Sequence, residues 1–369
     1  MRKLFVILAV AVLAFAFTVP ARAEVSFYGF IRFATYMKDV SKEAAPGGAF
    51  DDSDLVWKMD DGDSRFGARF KNGDFSATVE LRPRSDALER QWNAAWNFGA
   101  GTLSIGHMWS PEFSCITGSG YGPGTLGGYG DPGCTVRDDM IQLSIGGLKL
   151  ALVAPYTAGV GAPPAGAGTK VTGAGADIDT TIPKLAASYL LNVGPAAIKL
   201  FGGYQTYAEV DTATDKEVDI GAYLIGASVS AAFGPAYAKA VYWMGQNEGV
   251  YTRWPYRLGT AHGPNYVAAT DTLTDADNSA YVIVLGYNIS ETMKIEGGYV
   301  ASKYECDAGL VKEDTNSAYY VNLPIKLASN FTVTPEILFL DNEDKTLFNG
   351  NKVEEGDTTI YGVAWVITF

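Results

Sequence analysis

Apolar and polar side chains alternate at every second position through most of this chain, the period of an extended strand rather than of a helix. The clearest case is Thr358 to Phe369, where Tyr361, Val363, Trp365, Ile367 and Phe369 fall on one face. The other face carries Thr358, Gly362 and Thr368, with Ile360, Ala364 and Val366 between them. A soluble protein rarely leaves such a strand uncovered, because an open apolar edge invites aggregation. A strand with lipid on one side and a neighbour at each edge meets no such difficulty.

The same reading along the chain predicts sixteen strands: 25–37, 65–71, 75–82, 91–98, 102–109, 138–145, 148–156, 184–193, 196–209, 218–232, 236–245, 279–287, 293–303, 317–327, 331–340 and 358–369. Short turns join some of them, at Asn72-Gly73-Asp74, Gly99–Gly101, Gly146-Gly147, Gly194-Pro195, Gly234-Pro235, Asn288–Glu291 and Ala328–Asn330. The joins between these are longer: Lys38 to Asp63, Pro83 to Glu89, Ser110 to Val136, a Gly/Ala/Pro segment reaching Pro183, Gln246 to Asp277, and Asp341 to Asp357. Short and long connections alternate without a break, and a soluble all-β protein has no reason to sort its loops by length in this way.

The N-terminus predicts the compartment. Met1-Arg2-Lys3 is basic, Leu4 to Val19 is an almost unbroken apolar run, and Ala21-Arg22-Ala23 offers a small-residue cleavage site. These are the three parts of a secretory signal peptide, and the run is short for a spanning helix. Cleavage after residue 23 would leave 346 of the 369 residues, and loss of Arg2, Lys3 and Arg22 would move the net charge from −13 to −16. No further long apolar run exists, so the mature chain has no helical route across a membrane, whereas a closed β-barrel remains open to it. Sixteen strands in 346 residues allow about 22 residues for each strand and its connection, ample for the roughly 10-residue tilted strands of such barrels. The predicted fold is all-β: a transmembrane antiparallel barrel occupying residues 24–369 as one domain, with short turns and both termini in the periplasm. Strong acidity argues against nucleic acid as a partner and suits the attraction of cations.

The signal peptide, the sixteen strands, the long third loop (Ser110 to Val136) and the terminal Phe369 with its alternating partners together resemble the Gram-negative general porins. The likeness covers the whole mature chain in architecture. It implies a water-filled outer-membrane channel for passive diffusion of small hydrophilic solutes and ions. It further implies a homotrimer in outer-membrane lipid, a third loop folded into the lumen, and Phe369 as the signal read by the barrel-assembly machinery. The alternatives are a substrate-specific channel and a structural or adhesin barrel. A TonB-dependent receptor is disfavoured, since the first strand leaves no room for a plug domain.

Strand parity places Arg32, Arg65, Arg69 and Arg82 on the lumen face, opposite the outward Phe66, Ala68, Phe70, Val79 and Leu81. Lys71 and Glu80 share that face, and Arg84 would if the strand extends. The arginines would form a basic wall, faced by third-loop acids Glu112 and Asp131 with Asp138 and Asp139 at the loop's base. Opposed charges across a narrow aqueous gap create a transverse field that sorts ions, as in the porin constriction zone that the resemblance implies. The ordinary alternative is a set of solvated lumen charges without a focused constriction. Overall acidity predicts a moderate cation preference, which the inward arginines would reduce or reverse. Lys199, Lys239, Lys294, Glu296, Lys326 and Glu336 take polar parity and would hydrate the lumen.

Cys115 and Cys134 sit near the ends of the third loop, where oxidation would pinch it closed; Cys306 has no obvious partner. The runs Asp51–Asp54 and Asp60–Asp63 lack the spacing of a calcium loop and read as solvated charge. His107 and His262 are the only histidines, and no catalytic arrangement, metal-ligand spacing or phosphate loop accompanies them, so neither an enzyme nor a cofactor is expected. His107 shares parity with Leu103 and Ile105, which suits a subunit interface.

Overall fold

The computed structural model describes residues 24–44, 52–59, 64–82, 89–112, 114–117, 137–155, 176–211, 216–251, 263–267, 272–308 and 311–369. The proposed signal peptide, residues 1–23, lies outside them.

Sixteen antiparallel staves close into a barrel. The first is β1 (Glu24–Val40); the second is built from β2 (Asp52–Met59) and β3 (Arg65–Asn72) in succession. Staves three to seven are β4 (Phe75–Leu81), β5 (Glu89–Asn97), β6 (Thr102–Trp109), β7 (Arg137–Ile145) and β8 (Leu148–Val153). The eighth combines β9 (Ala176–Asp179) with β10 (Lys184–Val193), both paired to β11 (Ala196–Asp211). Then come β12 (Lys216–Phe233) and β13 (Ala236–Gln246), followed by a four-residue helix, α1 (Glu248–Tyr251), and a small hairpin, β14 (Asn265–Val267) with β15 (Thr272–Thr274). The circuit continues with β16 (Ala276–Asn288) and β17 (Lys294–Cys306), then a fourteenth stave made of β18 (Val311–Asn322) and β19 (Ile325–Ala328). The fifteenth is β20 (Phe331–Asn342). The short β21 (Lys345–Leu347) and β22 (Lys352–Val353) precede the last, β23 (Asp357–Thr368).

Closure falls where the terminal stripe predicts. β23 pairs with β1 from Phe30 opposite Thr368 to Val40 opposite Thr358, and with β20 on its other edge. The backbones of Gly29 and Phe369 exchange two hydrogen bonds, at 2.9 and 3.0 Å, below the last paired residues. A closed sheet leaves no edge for another chain to extend.

Several connections differ from the sequence reading: β9 lies in the Gly/Ala/Pro segment, β14 and β15 in Gln246 to Asp277, and β21 and β22 in Asp341 to Asp357. The stretch Lys38 to Asp63, expected to be a loop, continues β1 to Val40 and contributes β2, whose Asp52–Met59 pairs with Phe33–Val40. The run beginning at Asp51 therefore lies largely on a strand, with Asp52 and Asp54 exposed, and 60–63 fall outside the described residues.

The outer surface is apolar and banded. At the short-turn end, Phe75, Trp96, Phe98, Phe233, Tyr287 and Phe369 are exposed; farther up the staves Tyr204, Tyr223, Tyr242, Tyr281, Tyr299, Tyr319 and Tyr361 form a second aromatic belt. Between the belts the outward positions are aliphatic, among them Leu200, Ile225, Ile283, Leu285, Val321 and Ile337. An apolar band between two aromatic girdles is the outer surface of a barrel that spans a bilayer. No helix among the described residues is long and apolar enough to cross one.

Candidate functional site: the lumen of the barrel

The basic wall forms on the first four staves. Tyr28 of β1 donates a hydrogen bond to Glu80 of β4 at 3.0 Å, and Arg90 of β5 grips the same carboxylate at 2.7 Å. Arg65 of β3 stands 3.6 Å from it and stacks over the Phe30 ring at 4.4 Å, while Arg69 lies over the Tyr28 ring at 4.2 Å. Arg32 sits near Phe30 (5.7 Å to its centroid), and Arg82 is half-buried one residue beyond β4. All four predicted arginines thus take lumen parity on adjoining staves. Glu80 sits among them, and Arg90, which sequence reading passed over at the edge of a loop, belongs with them.

The third-loop acids do not form the facing set that was expected. Glu112 is wholly buried and accepts hydrogen bonds from Ser110 and from Tyr251 (2.9 Å), with the Lys184 ammonium at 3.4 Å. Lys184 begins β10, and Tyr251 ends α1, so Glu112 is held on the side of the barrel away from the arginines. Asp138 is buried and inward. Asp139 must point the other way, because neighbouring residues of a strand face opposite sides. Its side chain is 74% exposed and meets His107 at 2.9 Å, in line with the outward Ile105 and Ile141. Asp139 is therefore a surface residue and no part of the lumen. Asp131 and Cys134 lie outside the described residues. Cys115 is disulfide-bonded, and Cys306 is a buried thiol that donates toward the carbonyls of Thr274 and Asp275.

The described base of the third loop, Ser110–Thr117, folds into the barrel. The backbone oxygen of Ile116 accepts a hydrogen bond from Lys239 of β13 at 3.0 Å, so the loop starts on the fifth stave and reaches the eleventh. The loop after β13 enters from that side. Lys184 donates to the Tyr251 carbonyl at 3.2 Å and lies 3.8 Å from the Tyr251 ring centroid, and Gln205 donates to the Val250 carbonyl at 2.6 Å. Gly203 of β11 makes room: a Cβ there would stand 1.9 Å from the Tyr251 hydroxyl. Asn247, at φ 55, caps the turn by bonding the Gly221 carbonyl and Asp275, both at 2.7 Å.

Burial drives the titration of this inner cluster. Glu248 is entirely buried, which pushes its carboxyl up to about 8 against the opposing pull of Lys184. The Tyr251 hydroxyl is raised well above its ordinary value by burial and then by the charges of Glu112, Asp138 and Glu248.

Beneath both loops the inner wall is apolar. Ile220, Leu224, Val241, Val282, Val284, Val300, Leu338, Leu340 and Ile360 are buried on the inward face, with Val250, Tyr251, Ile116, Ile178 and Leu273 packed against them. Over this stretch these strands are therefore apolar on both faces. Glu296 and Glu336, expected to hydrate the pore, are buried and bonded. Glu296 accepts from Tyr237 (2.6 Å) and Tyr320 (2.7 Å), with Lys294 at 3.6 and Lys239 at 3.9 Å; Glu336 accepts from Asn322 at 3.0 Å. Among the described residues no group of side chains is arranged to hold a metal ion.

A sixteen-stranded barrel with an apolar, girdled exterior and a charged lumen narrowed by infolded loops defines an outer-membrane channel. A family model described as Gram-negative porin matches residues 9–345, and the chain belongs to that family. It is an outer-membrane channel for passive diffusion, and the family and fold point to a channel rather than an enzyme. Solved structures agree on the fold. The outer membrane channel DcaP of Acinetobacter baumannii superposes with a TM-score of 0.69 at 14% identity, covering 95% of this chain and 99% of that one. The anion-selective porin from Comamonas acidovorans gives 0.59 at 14% identity, over 94% and 100%. OmpF of Salmonella typhi, solved with daunomycin, gives 0.55 at 12% identity, over 94% and 98%. No curated protein matches the sequence.

Proposed function

We propose that this porin is a general diffusion channel whose narrow region lies between the arginine wall and the infolded third loop, and that it favours small anions. The observation that carries the reading is the reach of Ile116 across the lumen to Lys239, opposite a wall of Arg32, Arg65, Arg69, Arg82 and Arg90 in which Glu80 is the acid. The acidity of the chain resides mainly in its long-loop end. An ion passing the interior meets the nearer guanidinium groups, because charges beyond a Debye length of about 10 Å at 0.1 M salt are screened. The test is conductance in planar bilayers under a salt gradient. Stepwise channels with a reversal potential favouring chloride over potassium are expected. Absence of channels at all voltages would sink the porin reading, and a potential favouring potassium would sink the selectivity.

The short-turn end, with Glu24 and Phe369, faces the periplasm in this reading, and the long-loop end faces outward. Phe369 is the feature read by the barrel-assembly machinery, residues 1–23 are removed on export, and Cys115 pairs with Cys134 across the third loop. Three copies associate through the outward faces of the first staves, where Trp92, Trp96 and Ile105 are exposed beside the His107–Asp139 pair. Crosslinking in native outer membranes that stopped at monomers would remove the trimer from this account.

A further inference from the structure

The inward-facing residues at the short-turn rim share a chemistry separate from the arginine wall, and only Lys239 among them also holds the infolded third loop. Lys71, Lys149, Lys199, Lys239, Lys294 and Lys326 stand on staves two, seven, nine, eleven, thirteen and fourteen, each within three residues of its strand's short-turn end. Register places all six inside. Lys149 alternates with the buried Ala151 and Val153, Lys199 with Phe201, Lys239 with Val241 and Trp243, and Lys294 with Glu296 and Val300. Lys326 lies opposite Thr332, which shares its face with the buried Thr334 and Glu336, and Lys71 continues the face of Arg69. Lys71, Lys149 and Lys326 are exposed, and Lys199, Lys239 and Lys294 are half-buried.

Each lysine also faces a hydroxyl or carboxamide directly across its ladder. Ser76 is opposite Lys71, Ser144 opposite Lys149, Ser228 opposite Lys199, Ser230 opposite Lys239, Asn288 opposite Lys294 and Thr332 opposite Lys326. An ammonium beside a neutral hydrogen-bond donor suits an oxyanion, since charge attracts it and the hydroxyl or amide satisfies a second oxygen. Among the described residues the lumen-facing acids at this level are Glu24, opposite Lys71, and the buried Glu296 between Lys239 and Lys294, while Glu112 of the third loop acts on Lys199. The opposite end of the barrel has the reverse sign, with Asp52, Asp54, Asp177, Asp179, Glu217 and Glu343 exposed.

We propose that this rim is a binding ring for small polyvalent oxyanions, of the polyphosphate or polycarboxylate class, that enter from the short-turn side. Several lysines around one mouth engage a multiply charged anion at once, whereas a monovalent ion meets one or two of them and passes. The inference rests on the porin reading and on the periplasmic placement of that end.

The probe is inorganic tripolyphosphate, added to one side of a planar bilayer holding the purified channel in dilute potassium chloride. The side is assigned by an impermeant thiol-biotin reagent acting on a Ser329→Cys variant, with the parent chain as control. Current block is expected from the short-turn side, with far less from the acidic side. The triple variant Lys149→Gln, Lys199→Gln, Lys326→Gln should raise the half-blocking concentration roughly tenfold, the loss of three water-accessible charge contacts. The corresponding triple arginine variant should retain the block. Equal block from both sides, no block, or indifference to the glutamine triple would overturn the ring while leaving the porin intact. Absence of any channel from the parent chain would overturn the porin reading and the ring with it.

Discussion

At the scale of single residues, the interior depends on buried charges that satisfy one another. Glu80 and Arg90 are both almost entirely buried and joined at 2.7 Å, and Glu80 also draws Arg65 and Tyr28, so removing Glu80 takes the shared carboxylate from the whole cluster. Breaking such a pair costs about 3–5 kcal/mol, and Glu80→Ala should lower folded yield and heat stability, as read by gel-shift melting, far more than Arg69→Ala. Gly203 is a second fixed point, because the Tyr251 ring occupies the place of any larger side chain. Gly203→Val should expel the loop after β13 and raise single-channel conductance, and it should also lower heat stability, since the new Cβ would stand 2.7 Å from the Leu185 carbonyl of β10. Unchanged conductance would mean that the loop does not narrow the pore. Parity alone located the four arginines, because the strands carrying them have one plainly apolar face. Asp138 and Asp139 were placed by their position at the base of the third loop and not by parity, which would have sent the two neighbours to opposite faces. Parity did not reveal the bonds of Glu112 and Glu296, because those depend on Tyr251, Tyr237 and Tyr320 arriving from elsewhere in the chain.

At the scale of elements, α1 acts as a wedge between the third loop and the wall, and its attachment should respond to pH. Glu248 has its carboxyl raised to about 8 in the folded chain and an ordinary value near 4.3 when released. The folded form therefore holds the proton more tightly, and its stabilisation is full at acid pH and declines as pH rises toward 8. The charged groups around it are Lys184 on β10, Glu112 on the third loop and Asp138 on β7, with Tyr251 on α1 itself. Conductance and protease sensitivity of this loop should rise between about pH 5 and pH 8, and Glu248→Gln should flatten the response. A Glu248→Gln channel with the parent's full pH dependence would place the titrating group elsewhere. Among the elements missed at first, β2 shows how a local signal can be masked. Leu55, Trp57 and Met59 keep strand period, yet the Asp-rich run before them has the composition of a loop. The strands that were read correctly owe their legibility to short turns at one end of each hairpin, five of the seven bearing glycine and the other two built on Asn and Ser.

At the scale of the whole molecule, sixteen staves and their order were legible because alternation, turn chemistry and loop length all agreed. The inner wall was not. On β16, Tyr281, Ile283 and Leu285 face out while Ala280, Val282 and Val284 face in, and a sequence apolar on both faces carries no parity signal. Closure itself is testable. Deleting Phe369 removes the two backbone bonds to Gly29 and an exposed ring at the rim, and it should reduce membrane insertion while sparing the conductance of whatever inserts. Normal yield of the deletion would argue against a role in assembly. The third loop gives a further check: if Cys115 is bonded to Cys134, reductant should increase current noise without dissociating the barrel.

The double-sided apolar strands also bear on events before the barrel exists. An exported chain must cross an aqueous compartment with β12, β13, β16 and β20 unpaired, and stretches such as residues 280–285 have no polar face to turn toward water. Apolar, β-rich stretches of this kind are those that collect into aggregates when pairing is slow. The features that later seat the infolded loops thus make the nascent polypeptide dependent on escort. Its refolding from denaturant should succeed only where detergent micelles or a holding chaperone are present from the first moments of dilution.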